Sequence, residues 1–195
     1  RRVLFRSRPF MGFTAISTLF ALGNSSDAFL ILRAQDNGIP TPLIPIVYFA
    51  FNGLYSLLST PAGILSDRIG RRPLLITGYT AFAVAYAGFA LADGPVGTVA
   101  MFLVYSFFYA FTEGVGRALI ADMVPSHLRA TAMGSYATAT GIALLPTSVL
   151  AGALWDSVND ATPFWVGAGF AAAAALLLTL FPPRAALPEI GRAHV

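Results

Sequence analysis

Cysteine and lysine are both absent from this chain, histidine occurs only twice, and charged residues make up 11% of its 195 positions. Without cysteine there are no disulfides, no thiol catalysis and no cysteine-based metal sites. His127 falls in a loop and His194 beside the C-terminus, so no metal constellation forms. No Gly-rich phosphate loop precedes a lysine and no Ser/His/Asp set shares one membrane face, so neither a cofactor nor an enzymatic role is expected. The scarcity of charge excludes most. A soluble domain of this size carries roughly a quarter charged residues, and a water-facing surface cannot be built from so few. What the chain has instead is 56% hydrophobic residues and a mean hydropathy of +0.71. These values place it in a lipid bilayer.

The net charge of +3 and a pI near 9.6 could suggest a nucleic-acid partner. However, the arginines occupy short turns between apolar runs, a pattern that membrane topology explains and nucleic-acid binding does not. All 12 basic residues are arginine. With abundant alanine, that usage is compatible with a GC-rich genome.

The two ends read differently from the rest. Arg2–Ser7 and Ile190–Val195 can be encoded by strings that are reverse complements over their overlap and match a common sequencing-library adapter. Arg1 and Glu189 fit the flanking bases. Residues 1–7 and 189–195 are therefore expected to be adapter scars and are set aside from fold reasoning. The protein proper is expected to run from about Arg8 to Pro188.

A membrane-spanning helix needs roughly 20 apolar residues. Six segments qualify: about Phe10–Leu32, Leu43–Leu65, Leu74–Ala92, Val96–Ala121, Ala130–Trp155 and Pro163–Phe181. The connections carry turn residues such as Asp36-Asn37-Gly38-Ile39-Pro40, Asp93-Gly94-Pro95 and Asn159-Asp160. No strand-like alternation competes, and the runs exceed the roughly 10 residues of a barrel strand. The expected fold is all-α: a polytopic membrane protein of six transmembrane helices. Arg68, Arg71, Arg72, Arg129, Arg8 and Arg184 fall on one side, against Arg33 alone on the other. The richer side is cytoplasmic by the positive-inside rule, so both ends lie in the cytoplasm, and the membrane expected is a bacterial inner membrane.

The densest motif is Gly63-Ile64-Leu65-Ser66-Asp67-Arg68-Ile69-Gly70-Arg71-Arg72, a basic turn between the second and third spans. The plain reading is a cytoplasmic turn with one acid. Its pattern, Gly-x-Leu-x-Asp-Arg-x-Gly-Arg-Arg, resembles the signature loop of major facilitator superfamily (MFS) transporters. Ala121–Gly134, with Pro125, Arg129 and Gly134, is similar to that family's link between the tenth and eleventh helices, although Ala130 replaces the usual glycine. Leu150–Asp156 is typical of the eleventh helix running to its loop. The resemblance implies the C-terminal six helices of a twelve-helix bundle, whose N-terminal half is missing from this sequence. It also implies that the loop latches the cytoplasmic side when the transporter opens outward. Asp67 would then face the N-terminus of a neighbouring helix, and the arginines would reach acids at inner helix ends, with Asp122 the chosen partner. Gly63 would allow close helix approach, and Gly70 the sharp reversal.

Ionisable residues within spans are costly and so mark candidate sites. Asp27 belongs to a polar break, Gly23-Asn24-Ser25-Ser26-Asp27, roughly 25 Å from the inner surface at about 1.5 Å per residue. In the transporter reading Asn24 and Asp27 contact substrate or a coupling ion; otherwise Asp27 pairs with another helix or is hydrated from outside. Arg33 reads as a helix-end arginine reaching the outer interface. Glu113 and Arg117, four apart, either form an intrahelical pair or leave Glu113 to carry a proton. Asn52 is a further cavity candidate. Tyr48, Tyr55, Tyr105, Tyr109 and Tyr136 line the cavity or simply pack. Pro146 interrupts the fifth span, but Gly141-x4-Pro146 lacks the Gly-Pro-x-Gly-Gly core of the family's antiporter motif.

The resemblance implies a secondary active carrier for a small solute, coupled to a proton or sodium ion and working by alternating access with its site between two halves. The alternative is a non-transporting membrane protein of the same architecture, acting as receptor or assembly partner. Substrate and direction are not legible, since half the cavity lies outside this chain.

Overall fold

The structure is a computed structural model that describes residues 7–182; the expected scars, Ser7 apart, and Arg184 lie outside the described residues. All regular structure among the described residues is helical. The helices are α1 (Arg8–Ala21), α2 (Ala28–Asp36), α3 (Ile44–Ile69), α4 (Arg71–Leu91), α5 (Pro95–Met123), α6 (Arg129–Ser157) and α7 (Thr162–Leu180). Short 3₁₀ turns at Thr41–Leu43 and Ser126–Leu128 lead into α3 and α6. The protein is an all-α, polytopic membrane protein.

Five helices, α3 to α7, are each long and apolar enough to cross a bilayer. The first expected span departs from this: Phe10–Leu32 is not one helix but α1 and α2 in tandem, separated by Leu22–Asp27. Together they still run from one end of the bundle to the other. Near its start, α1 shares a cleft with the C-terminal end of α7, through Arg8, Pro9 and Leu180. At the other end of the pair, Arg33 and Asn37 bond to the end of α4 and the start of α5.

The turn between α3 and α4 is tighter than expected. Asp67 and Arg68 lie in the last turn of α3, and Arg71, Arg72 and Pro73 in the first turn of α4. Only Gly70 separates the helices, at φ +93°, a conformation that costs an L side chain energy and glycine almost none. Pro61 and Pro146 are accommodated within α3 and α6, which continue through them.

The core lies along α4, flanked by α5 and α7. Phe82, Tyr86 and Phe89 of α4 are fully buried, as are Phe102 and Tyr105 of α5 and Phe164, Ala171 and Leu178 of α7. Lipid offers apolar side chains no advantage in leaving it, so contact in a membrane comes from close packing across small residues. A Cβ on Gly78 of α4 would lie 2.5 Å from Thr112 of α5, and one on Gly167 of α7 only 2.6 Å from the Gly23 carbonyl and the Tyr86 ring. Serine and threonine hydroxyls within the spans return to carbonyls one turn back, as at Thr18, Thr112 and Thr147, which leaves few polar groups unmet in an apolar medium. By contrast, α3 and α6 keep broad apolar faces outside the bundle: Phe49 is 80% exposed, Leu57 74% and Val149 73%.

Candidate functional site

The arginine-rich end is built by the last turn of α3, the first turn of α4 and the end of α5. Arg71, the first residue of α4, is its hub. Its guanidinium pairs with Asp67 one turn back, lies 3.3 Å through Nε from Asp122 of α5, and donates through NH1 to Ser66 Oγ at 2.5 Å. Ser66 donates in turn to the Gly63 carbonyl at 2.7 Å. One cation thus ties three helix ends together. Such a network exceeds the usual worth of a single exposed pair, about 0.2–1 kcal/mol, because three partners share one ordered side chain.

The other loop residues are placed differently from expectation. Arg72 does not reach an acid. Its Nε donates to the Leu178 carbonyl at 2.7 Å and its NH2 to the Thr179 carbonyl. These are unpaired carbonyls at the C-terminal end of α7, where a cation is favoured. Arg68 is exposed. Gly63 makes no close approach within the described residues, since a Cβ there would meet nothing within 4 Å. It opens instead onto a groove of about 350 Å³ between α3 and α5, also lined by Tyr55, Ser59, Asp67 and Gly114. Asp67 is held by the Arg71 side chain rather than by a helix N-terminus. Arg129 of α6 donates to the Ala121 carbonyl at 3.3 Å.

Mid-bundle, Glu113 and Arg117 of α5 form the expected intrahelical pair at 2.5 Å, and Tyr55 of α3 donates to the second Glu113 oxygen, also at 2.5 Å. Both carboxylate oxygens are therefore engaged. The pair lines a cleft of about 220 Å³ together with Phe13, Tyr79, Tyr109 and Tyr136. Asn52 is exposed and returns its Nδ2 to the Tyr48 carbonyl at 2.8 Å, on its own helix.

Asp27 lies at the head of α2 and is partly buried. Tyr105 of α5 donates to its Oδ1 at 3.3 Å and Tyr48 of α3 donates to its main-chain carbonyl at 3.3 Å. It joins no ion pair among the described residues. Asn24 is partly buried in the same break. The five tyrosines singled out in sequence divide: Tyr105 is fully buried, whereas Tyr48, Tyr55, Tyr109 and Tyr136 stand at the edge of the packed region.

At the far end Arg33 overturns its expectation. It is 7% exposed and turns inward, donating through Nε to the Phe89 carbonyl at 2.9 Å and through NH2 to the Ala90 carbonyl at 3.2 Å, while NH1 pairs with Asp160. Asn37 donates to the Ala92 carbonyl at 3.0 Å and to Thr98 Oγ1 at 2.8 Å. The residues that reasoning from sequence missed here, Ser66, Thr98 and the carbonyls of α4 and α7, carry no mark in the chain except nearness to a helix end.

A tandem-broken first crossing, a one-residue basic turn tied to a neighbouring helix end and part-exposed polar groups between the ends belong to a polytopic helical membrane protein. The family model of the Major Facilitator Superfamily matches residues 9–194, and the chain belongs to that family. It is 37% identical over 172 residues to an uncharacterised MFS-type transporter of Methanocaldococcus jannaschii, across 85% of this chain and 43% of the relative. It is 31% identical to an uncharacterised MFS-type transporter of Mycobacterium tuberculosis across 57% of this chain and 19% of that one. Similarity to the multi-drug resistance efflux pump PmrA of Streptococcus pneumoniae is 27% across 65% of this chain and 31% of the pump. The chain therefore spans less than half the length of these relatives.

Proposed function

We propose that this chain is the C-terminal six-helix half of a secondary active carrier that moves a small solute by alternating access. The observation that carries this reading is the Asp67–Arg71–Asp122 network. It closes the arginine-rich end with contacts that can be made and broken without disturbing the core. In this reading that end is cytoplasmic, and the network forms when the carrier opens outward. The exposed apolar faces of α3 and α6 pack against lipid and the second half. The substrate path runs past Asn24, Asp27, Asn52, Glu113 and Arg117. Gly63, which no neighbouring helix approaches closely, and the exposed Arg68 meet the second half beside Gly70 and Arg72.

The test uses the full-length protein in proteoliposomes, with a solute panel that includes lipophilic drugs because one relative is named a multi-drug efflux pump. Asp67→Asn removes one of two acids from a partly exposed network, a loss of about 1 kcal/mol, which is roughly a five-fold change in the closed-to-open ratio. Flux of the transported solute should fall by about that factor while membrane insertion is unchanged. Unchanged flux removes the latch.

A further inference from the structure

The cleft of about 220 Å³ beside Glu113 and Arg117 has walls that select among ligands. It lies between α1, α4, α5 and α6 and is lined by the buried rings of Phe13, Phe20, Tyr79 and Phe108 and the half-buried rings of Tyr109 and Tyr136. Its volume is below the roughly 300–1,000 Å³ of drug-sized sites, so it suits a small, flat ring system. The rings are not arranged to cage a cation. Phe20 stacks on Tyr79 with centroids 4.4 Å apart and Phe13 on Tyr136 at 5.8 Å, each pair 5° from parallel. One face of each of these rings is therefore turned to its partner, and it is the ring face that attracts a cation.

The ionic groups add a second selection. Glu113 has both carboxylate oxygens held, one by Arg117 and one by Tyr55, each at 2.5 Å. Arg117 gives Glu113 a bond from NH2 alone. Its Nε and NH1 have no partner among the described residues, and its side chain is 67% exposed. The unspent edge of a guanidinium matches a carboxylate through parallel N–H bonds. An entering cation would be repelled by Arg117 and would compete with two donors for Glu113. Gly116 of α5 also lines the cleft, and a Cβ there would meet Leu75 and Phe13 only at 3.9 and 4.0 Å. A larger side chain at this position would therefore occupy the cleft without forcing the helices apart.

We propose that this cleft binds a small aromatic carboxylate, with its ring against the aromatic walls and its carboxylate on the free edge of Arg117. Glu113 is then a positioning residue: it holds the guanidinium toward the cleft, and the Tyr55 hydroxyl offsets part of its charge. That such an anion is the transported solute rests on the carrier reading above; its binding does not.

Equilibrium binding of radiolabelled naphthoate to the purified full-length protein tests the site, with naphthamide and naphthylmethylammonium as neutral and cationic competitors. Naphthoate should bind saturably, and both competitors should bind at least about ten-fold more weakly, the worth of one charge-assisted pair. Arg117→Gln, at an exposed position, should weaken naphthoate by about ten-fold or more. Gly116→Leu should block the cleft with no change of charge. Glu113→Gln keeps an oxygen on Arg117 while removing the like charge, so naphthoate should bind more tightly, whereas a cation site would lose its ligand. Four results overturn the proposal: no saturable naphthoate binding, tighter binding of the ammonium compound, an unchanged affinity in Arg117→Gln, or a loss in Glu113→Gln. Naphthoate binding by a protein that moves no solute refutes the carrier and leaves the site. Solute flux by a protein that binds no naphthoate refutes the site and leaves the carrier.

Discussion

Replacing Gly167 with alanine should destabilise the protein where the break in the first crossing meets α7. A Cβ at this position would lie 2.6 Å from the Gly23 carbonyl oxygen and 2.6 and 2.8 Å from two Tyr86 ring carbons. Each distance is short of an ordinary 3.4 Å contact by roughly 0.6–0.8 Å, and neither neighbour is the free end of a flexible chain. The Gly23 carbonyl belongs to the backbone, and Tyr86 is wedged against Phe82 at a centroid distance of 3.9 Å. Overpacking of this kind costs about 1–3 kcal/mol, and the upper part of that range is expected here because backbone has to move. A matched control exists two residues on. Gly169 is exposed, and a Cβ there would meet nothing within 4 Å. Both substitutions gain the same helix propensity, about 1 kcal/mol, so their difference isolates the clash. Unfolding in mixed micelles of the full-length protein should show Gly169→Ala neutral or slightly stabilised. Gly167→Ala should lie about 2–3 kcal/mol below it. Equal stabilities would refute the close crossing of the break with α7.

Arg33→Ala leaves two α4 carbonyls and Asp160 without their donor and should cost about 2–4 kcal/mol, read in the same unfolding assay; Arg33→Lys should restore less than half, because one ammonium cannot reach all three acceptors in a planar fork. If alanine is tolerated within about 0.5 kcal/mol, the inward cap is not formed. Asp122→Asn should mirror Asp67→Asn in transport and add little to it in the double variant, since both acids act through Arg71; fully additive losses would separate them. Tyr55→Phe should leave folding intact while freeing one Glu113 oxygen, and Glu113 should then react more readily with a carbodiimide probe. Unchanged reactivity would mean that the Tyr55 contact is absent in the membrane.

What the sequence made legible follows from which physical signal each feature leaves. Five of the crossings could be read as continuous helices because hydropathy over roughly 20 residues suffices for a span. The first could be read as a crossing and as polar at Asn24–Asp27, but not as two helices, since a polar cluster does not say whether the backbone bends or breaks. Arg71 and Asp122 could be paired on paper because both lie at the same ends of apolar runs. Arg33 and Arg72 misled for the same reason: each has acceptors that are backbone carbonyls of α4 and α7, and a carbonyl at a helix end leaves no mark in the sequence. Gly63 fell short because it faces an open groove between α3 and α5 rather than a closely packed helix.

The polar groups of this chain divide by depth, and the division separates what holds the fold from what is left free to act. At the two ends, arginines complete neighbouring helices. Arg72 caps α7 at the basic end, and Arg33 caps α4 at the other. Both bind carbonyls that would otherwise be unmet in or near lipid, so these cations are committed to structure. Arg71 differs, since its partners are carboxylates of which Asp67 is 65% exposed, and an exposed pair can part at small cost. Between the two ends the order is reversed. Glu113 is saturated while standing at an open cleft, and Asp27 is unsaturated while partly buried. A bundle that needed only to stand would gain by replacing Asp27 with asparagine or serine, either of which could accept from Tyr105 without the desolvation cost of a charge. A carboxyl kept at a helix break without a cation is therefore a cost that the packing of the bundle does not explain.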